Sequence, residues 1–97
     1  MDYCLDIDGT LCDTNGTDYE NALPKQEAIS WVRRVYAMGH TVTLYTARGS
    51  KTGTDWRVLT EAQLAAWEVP YHALVFGKPA ADLYIDDKAM NSKEFFL

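Results

Sequence analysis

Apolar and polar positions along the chain form four short apolar runs separated by polar or amphipathic segments. Each run is rich in β-branched or aromatic residues, which favours a strand. The four predicted strands cover residues 2–7, 41–45, 73–76 and 83–85. The polar, turn-rich segment 8–23 predicts a loop. Because strands alternate with helical segments, the pattern predicts an α/β fold with a parallel sheet and right-handed crossovers.

Two amphipathic stretches predict helices that pack one face against this sheet. The first follows Pro24, which suits a first helical turn, and ends at Gly39. Its apolar stripe consists of Ala28, Ile29, Val32, Val35 and Tyr36. The second helix begins at Thr54 or Asp55 and runs to about Trp67. Its predicted buried face consists of Val58, Leu59, Ala62, Ala65 and Ala66.

Two carboxylates follow the first predicted strand, in the sequence Asp6-Ile7-Asp8-Gly9. Side chains at i and i+2 of an extended segment point to the same side, so Asp6 and Asp8 converge while Gly9 lets the chain turn. Such a pair can hold a divalent cation and direct a nucleophilic oxygen at phosphorus. Aspartate and glycine are also ordinary turn residues, so this motif alone leaves a simple strand-end turn as an equal alternative.

Polar residues also follow the other predicted strands. Thr46 comes after the second, Lys78 lies in the turn after the third, and Asp86 and Asp87 come after the fourth. Each has an ordinary explanation by itself, as a strand end, a solvated lysine or a cap of the tail. Ligands of open parallel sheets bind beyond the carboxyl ends of the strands, where all these residues are expected to meet. Together they predict one site.

Composition indicates a single folded domain spanning residues 1–97. The chain is 47% hydrophobic, lacks an apolar run of membrane length and begins without the apolar core of a signal peptide. We therefore expect a cytoplasmic protein without a membrane partner. The net charge of −5 disfavours nucleic acid as a partner. Two cysteines are too few for a disulfide framework, so Cys4 is expected to be a buried hydrophobe and Cys12 a reduced thiol.

Four segments, in order along the chain, resemble the four motifs of the haloacid dehalogenase (HAD) superfamily of aspartate-nucleophile phosphotransferases. They are Asp6-x-Asp8-Gly9-Thr10-Leu11, Thr46-Ala47-Arg48, Gly77-Lys78-Pro79 and Asp82-Leu83-Tyr84-Ile85-Asp86-Asp87. The resemblance implies a minimal Rossmann-like three-layer sandwich with about four parallel strands in the order 4-1-2-3. The intervals after Asp8 and after Thr46 are too short for a cap domain of the usual size, so the chain looks like the small capless members.

The resemblance also implies a role for each motif residue. Asp6 would be the nucleophile that becomes an aspartyl-phosphate, and Asp8 would protonate the leaving oxygen and then activate water. Thr46 would hydrogen-bond a phosphoryl oxygen, and Lys78 would offset the charge of the phosphate and of Asp6. The implied cofactor is Mg²⁺. Its ligands would be a carboxylate oxygen of Asp6, the backbone carbonyl of Asp8 and a carboxylate of Asp86, with Asp87 in direct or water-mediated support.

The expected activity is Mg²⁺-dependent hydrolysis of a phosphate monoester, with a sugar phosphate or a related small metabolite as substrate. Arg48, close to Thr46, is the best candidate for a second contact to phosphate or substrate. A capless site needs another way to exclude water. We expect a second copy of the chain over the site, a large substrate acting as its own lid, or closure of the loops at 9–23 and 47–55.

Three other functions remain open at the level of sequence. A response-regulator receiver also places acids, a threonine and a lysine around Mg²⁺, but its paired acids come from the first strand, whereas here the Asp86-Asp87 pair comes last. A non-catalytic HAD-like binding protein would not need both Asp6 and Asp8. A nucleotide or polynucleotide end phosphatase would fit a capless site, although the chain lacks a basic stripe.

Overall fold

The computed structural model describes residues 1–50, 52–76 and 83–85, the last of these as backbone only. In chain order the elements are β1 (Asp2–Asp6), β2 (Cys12–Asp13), a 3-10 turn (Tyr19–Asn21), β3 (Leu23–Pro24), α1 (Gln26–Ala37), β4 (Thr41–Thr46), α2 (Arg57–Ala66), β5 (Ala73–Phe76) and β6 (Leu83–Ile85). Within these residues no helix has the length and apolar character needed to cross a bilayer.

Four strands form one parallel sheet in the order β5-β4-β1-β6. Numbered as the four predicted strands, this is the expected order 4-1-2-3. In the register of β1 and β4, Leu5 lies opposite Leu44 and Asp6 opposite Tyr45. The carboxyl ends of β1 and β4 therefore meet at the same edge of the sheet, where Asp6 ends β1 and Thr46 ends β4.

Both described helices pack on the same face of this sheet. The buried cluster on that face joins strand, helix and loop residues: Leu5, Ile7, Ile29, Val32, Val42, Leu44 and Leu64. Arg33 of α1 also donates to the carbonyls of Trp67 (2.8 Å) and Glu68 (2.9 Å) just after α2. Two successive right-handed crossovers in one direction place their helices on one face. The helical layer expected on the other face lies outside the described residues.

The predicted buried face of α2 is wrong. Thr60 and Leu64 are the fully buried residues of this helix, whereas Val58 is 81% exposed. The prediction selected the most apolar face of the helix, but the face that packs inward carries the polar residue Thr60. Burial of the Thr60 hydroxyl is tolerated since it accepts a hydrogen bond from Arg48.

Segment 8–23 is not the plain loop that its composition predicts. β2 and β3 form a two-stranded antiparallel hairpin in which Cys12 lies opposite Pro24 and Asp13 opposite Leu23. Pro24 is therefore a strand residue, and α1 begins only at Gln26. Strands of two residues are too short to produce a detectable alternation of apolar and polar positions, so they cannot be predicted from the pattern.

Candidate functional site

The chain turns sharply where β1 ends. The Ile7 carbonyl accepts hydrogen bonds from the N–H groups of Thr10 (3.3 Å), Leu11 (2.9 Å) and Cys12 (3.3 Å). Gly9 has a φ of 89°, a left-handed conformation that strongly favours glycine. The two carboxylates of the first motif thus stand on a tightly hydrogen-bonded turn at the carboxyl edge of the sheet.

Three of the predicted site residues meet at this edge. Asp6 is half-buried, and its Oδ1 accepts a hydrogen bond from the Ile7 N–H at 3.0 Å. Thr46 ends β4 and is only 1% exposed, and its Oγ1 accepts the Arg48 N–H at 3.1 Å. Asp8 follows within the turn. The structure therefore brings Asp6, Asp8 and Thr46 together, as the motifs predict.

Asp8 forms a two-pronged ion pair with Arg48. The Arg48 Nε donates to Asp8 Oδ2 at 3.0 Å, and Nη2 donates to Asp8 Oδ1 at 2.8 Å. Oδ1 also accepts the Thr14 hydroxyl at 2.6 Å. The Arg48 side chain is fully buried and that of Asp8 is 25% exposed. A planar guanidinium matches a carboxylate in this way, and the pairing fixes the orientation of both groups.

The Arg48 guanidinium also contacts α2 and the 3-10 turn. Its Nη1 donates to Thr60 Oγ1 at 3.0 Å and to Gln63 Oε1 at 2.6 Å, both on α2. Its Cζ lies 4.7 Å from the centre of the Tyr19 ring. Gln63 in turn donates through Nε2 to the Tyr19 carbonyl. Arg48 thus ties the β1 turn to α2 and to the 3-10 turn, and its expected contact with substrate stays a prediction.

The surroundings of Asp8 act on its pKa in opposite directions. Burial raises it, but the hydrogen bonds from Arg48 and Thr14 and the positive charge of Arg48 outweigh burial and hold the pKa below its usual value. At neutral pH Asp8 is therefore a carboxylate, the form that a general base requires. Donating a proton requires the protonated form, which the Arg48 pair disfavours.

Cys12 lies against Asp8 as a buried thiol. Its Sγ is 3.6 Å from Asp8 Oδ1, and burial, with the nearby carboxylate, raises its pKa to about 11. We predict that native Cys12 reacts with an aromatic disulfide reagent at pH 8 at least ~100-fold more slowly than the unfolded chain, because it is inaccessible and the thiolate is scarce. Peptide mapping after timed labelling measures this rate. Rapid labelling of Cys12 in the native protein would contradict the described packing.

A cleft lies beside Thr46 and is lined mainly by residues from 47–50 and 52–56. One cavity of about 340 Å³ is bordered by Thr46, Arg48, Asp55 and Phe76, although Arg48 is only 3% exposed. A second, of about 370 Å³, is bordered by hydroxyl and aromatic groups: Thr17, Tyr19, Ser50, Thr52, Thr54 and Trp56. The two cavities share lining residues of the same loop. Their volumes are in the range of small-molecule sites.

Gly49 holds this loop in shape. Its φ is 81°, and a Cβ at this position would lie 2.0 Å from the Thr54 carbonyl oxygen. We predict that Gly49→Ala destabilises the fold by ~1–3 kcal/mol more than Gly53→Ala does. Gly53 is the matched control because its φ is 74° but nothing lies within 4 Å of its Cβ position. Urea unfolding of both variants measures the difference, and equal losses would show that the contact with Thr54 relaxes freely.

The donor set for a metal is described in part. Asp6 and Asp8 offer the oxygen ligands that Mg²⁺ prefers, and they lie at the edge where such an ion is expected. Both oxygens of the Asp8 side chain accept hydrogen bonds from Arg48, which fits a ligand role for its backbone carbonyl better than for its carboxylate. Among the described residues no cluster of three or more acidic, histidine or cysteine side chains forms a complete site. Lys78, Asp86 and Asp87 lie outside the described residues.

The residues that hold the Asp8–Arg48 pair were not predicted from the sequence. Thr14, Tyr19, Thr60 and Gln63 come from three different segments, and none belongs to a motif. Thr14 bonds to Asp8, and the other three contact Arg48. A weak signal did exist, since Thr60 and Gln63 are three positions apart and therefore share one face of the helix with Leu64. His72 has a structural role, because its Nδ1 accepts the Val42 N–H at 3.0 Å.

Comparisons with known proteins give three similar structures. No family model and no curated protein matches the chain. An MCSG target protein from Vibrio cholerae is 32% identical, with a TM-score of 0.76, over 99% of this chain and 88% of that one. A chain of a Pnkp1/Rnl/Hen1 complex is 26% identical (TM-score 0.65), and one of the Pnkp1/Rnl/Hen1 RNA repair complex is 21% identical (TM-score 0.61). The present chain covers 32% and 30% of those two.

Proposed function

The chain belongs to the same family as the Vibrio cholerae protein, and we propose that it is a small capless HAD-type phosphatase that hydrolyses a phosphate monoester with Mg²⁺. The observation that carries the proposal is the meeting of Asp6, Asp8 and Thr46 at the carboxyl edge of a parallel sheet. A nucleophile, an acid or base and a hydroxyl are the groups that phosphoryl transfer requires.

In the proposed reaction each motif residue has its own part. An Asp6 carboxylate oxygen attacks phosphorus, so that a bond forms to Asp6 and the bond to the leaving oxygen breaks. Asp8 is proposed to protonate that oxygen from its protonated form, which the Arg48 pair disfavours, and then as a carboxylate to take a proton from the water that releases phosphate. The Thr46 hydroxyl donates a hydrogen bond to a phosphoryl oxygen. Lys78 is proposed to offset the negative charge of the phosphate and of Asp6.

Mg²⁺ would be held by Asp6, the Asp8 carbonyl and Asp86, with support from Asp87. When bound it would neutralise negative charge on the phosphoryl group and lower the barrier to attack by a carboxylate. The oxygen donors of Asp6 and Asp8 are of the right chemical type for this ion.

The substrate that we propose is a sugar phosphate or a related small metabolite. The cleft beside Thr46 has a lining rich in hydroxyl and aromatic groups, which suits an uncharged, hydroxyl-bearing leaving group. The proposed surroundings are the cytoplasm, and a second copy of the chain could cover the open edge of the site.

A nucleotide or polynucleotide phosphatase is the second candidate. It is favoured by the 26% identity to a chain of the Pnkp1/Rnl/Hen1 complex. The net charge of −5 counts against binding a long polyanion. A signalling module that only binds phosphate and Mg²⁺ finds less support, because Asp6 and Asp8 both occupy the sheet edge.

A panel of phosphate esters tests the proposal. Phosphate release is measured from sugar phosphates, nucleotides and DNA with 3′- or 5′-phosphate ends, each with Mg²⁺ and with EDTA. We expect Mg²⁺-dependent turnover that is fastest on a sugar phosphate. Faster turnover of phosphorylated DNA ends would favour the second candidate, and no release from any ester by folded protein would contradict a phosphatase.

A further inference from the structure

We propose that Arg48 is a positioning residue that holds the Asp8 carboxylate in its working orientation and does not bind the substrate phosphate. This inference rests on the proposed function, because it assigns Arg48 a part in the reaction of that site. It differs from the expectation raised by the sequence, where the closeness of Arg48 to Thr46 suggests a contact to phosphate.

Most N–H groups of the Arg48 guanidinium already form hydrogen bonds within the protein. Four of them are described, two to Asp8 and one each to Thr60 and Gln63. A guanidinium has five N–H groups, so nearly all of its donor capacity is used within the protein. Binding a phosphate in two-pronged fashion would require Arg48 to release at least one of these partners first.

The Arg48 guanidinium is shielded from solvent. The Arg48 side chain is fully buried, and the Tyr19 ring covers the guanidinium at 4.7 Å. The described N–H donors of the guanidinium are directed at Asp8, Thr60 and Gln63. The positive charge is balanced by Asp8, whose own side chain is 25% exposed. The accessible partner of the pair is thus the carboxylate.

Arg48 and Asp8 are each held by further hydrogen bonds from other segments. Thr60 and Gln63 lie on α2, so the guanidinium is fixed to a regular helix that packs on the sheet. Thr14 holds the Asp8 carboxylate through a separate hydrogen bond of 2.6 Å. Acid and base groups need a fixed position, and an error of about 1 Å can cost on the order of 100-fold in rate. Two supports from separate segments supply that precision.

Steady-state kinetics separate positioning from substrate binding. The variant is Arg48→Lys, which keeps the charge but cannot span both carboxylate oxygens. With p-nitrophenyl phosphate and Mg²⁺ we expect kcat to fall on the order of 100-fold and KM to change less than about threefold. Arg33→Lys is the matched control, because Arg33 also bonds to the α2 end but lies away from the site. A large rise in KM with unchanged kcat would overturn the proposal.

A second readout does not depend on activity. The Nε–H signal of Arg48 in a ¹H–¹⁵N spectrum, assigned by its loss in Arg48→Lys, reports the partner of that group. We expect it to shift in Asp8→Asn and to stay unchanged when inorganic phosphate and Mg²⁺ are added to the wild type. A shift with phosphate but none in Asp8→Asn would overturn the proposal. If the wild type hydrolyses no ester, the proposed function fails, and this spectrum still decides the position of Arg48.

Discussion

Replacing Asp6 by asparagine is expected to lower Mg²⁺-dependent hydrolysis of an aryl phosphate by roughly a thousandfold or more. The amide of asparagine has nearly the same shape but no nucleophilic oxygen, so the bond to phosphorus cannot form. The Oδ1 of Asp6 accepts the Ile7 N–H, and an asparagine Oδ1 can accept the same bond. The loss of activity should therefore come without loss of fold.

Asp2→Asn is the matched control for this variant. Asp2 lies on the same strand as Asp6 but at its amino end, away from the proposed site. We expect Asp2→Asn to keep the wild-type kcat and both variants to unfold near the wild-type temperature. Activity of Asp6→Asn close to that of Asp2→Asn would show that Asp6 is not the nucleophile.

Replacing Arg48 by methionine is expected to lower the free energy of unfolding by about 3 kcal/mol. The buried hydrogen bonds to Thr60, Gln63 and Asp8 are all lost, and a largely buried carboxylate is left without its charge partner. Because Asp8 keeps 25% exposure and its bond from Thr14, the loss stays at the lower end for a broken buried pair. Urea unfolding at neutral pH measures it.

Arg33→Met is the control for loss of an exposed arginine. Arg33 is 41% exposed, and its nitrogen lies 3.8 Å from the carboxylate of Glu68. Surface pairs of this kind contribute about 0–1 kcal/mol. The cost of Arg48→Met should also shrink at acid pH. The pKa of Asp8 is lower in the native state than in the unfolded state. The ion pair therefore stabilises the fold at pH values above the unfolded pKa near 3.8, and this stabilisation is lost as the pH falls through the native pKa. Equal losses in the two variants at neutral pH would contradict a strong buried pair.

The sequence predicted the sheet well because the sheet is built from short apolar runs. All four strands of the sheet and their order agree with the structure, and parallel pairing by itself brings Asp6 and Thr46 to one edge. The strands and their parallel pairing depend on local composition and on connection rules that hold for most α/β folds, whereas the strand order was implied by the resemblance to the HAD superfamily. Gly39 also ends the first helix as expected, with a φ of 92°.

The contacts around Asp8 were beyond the reach of the sequence because they are long-range and polar. Arg48 lies 40 positions from Asp8, and its partners Thr60 and Gln63 are placed by the packing of α2. The apolar pattern of α2 predicted the wrong face for the same reason. The face that packs inward carries Thr60 and Gln63, which form hydrogen bonds with Arg48. The choice of this face follows from hydrogen-bond satisfaction in three dimensions and not from periodicity.

Direct capture of phosphate on Asp6 tests the proposed mechanism most sharply. The full chain is mixed with a substrate ester and Mg²⁺, quenched in acid within one turnover, reduced with borohydride and mapped by peptide mass spectrometry. We predict that Asp6 is reduced, which marks an aspartyl-phosphate, and that the mark is absent with EDTA and in Asp6→Asn. Phosphate found on another residue, or turnover that leaves Asp6 unmarked, would contradict Asp6 as the nucleophile.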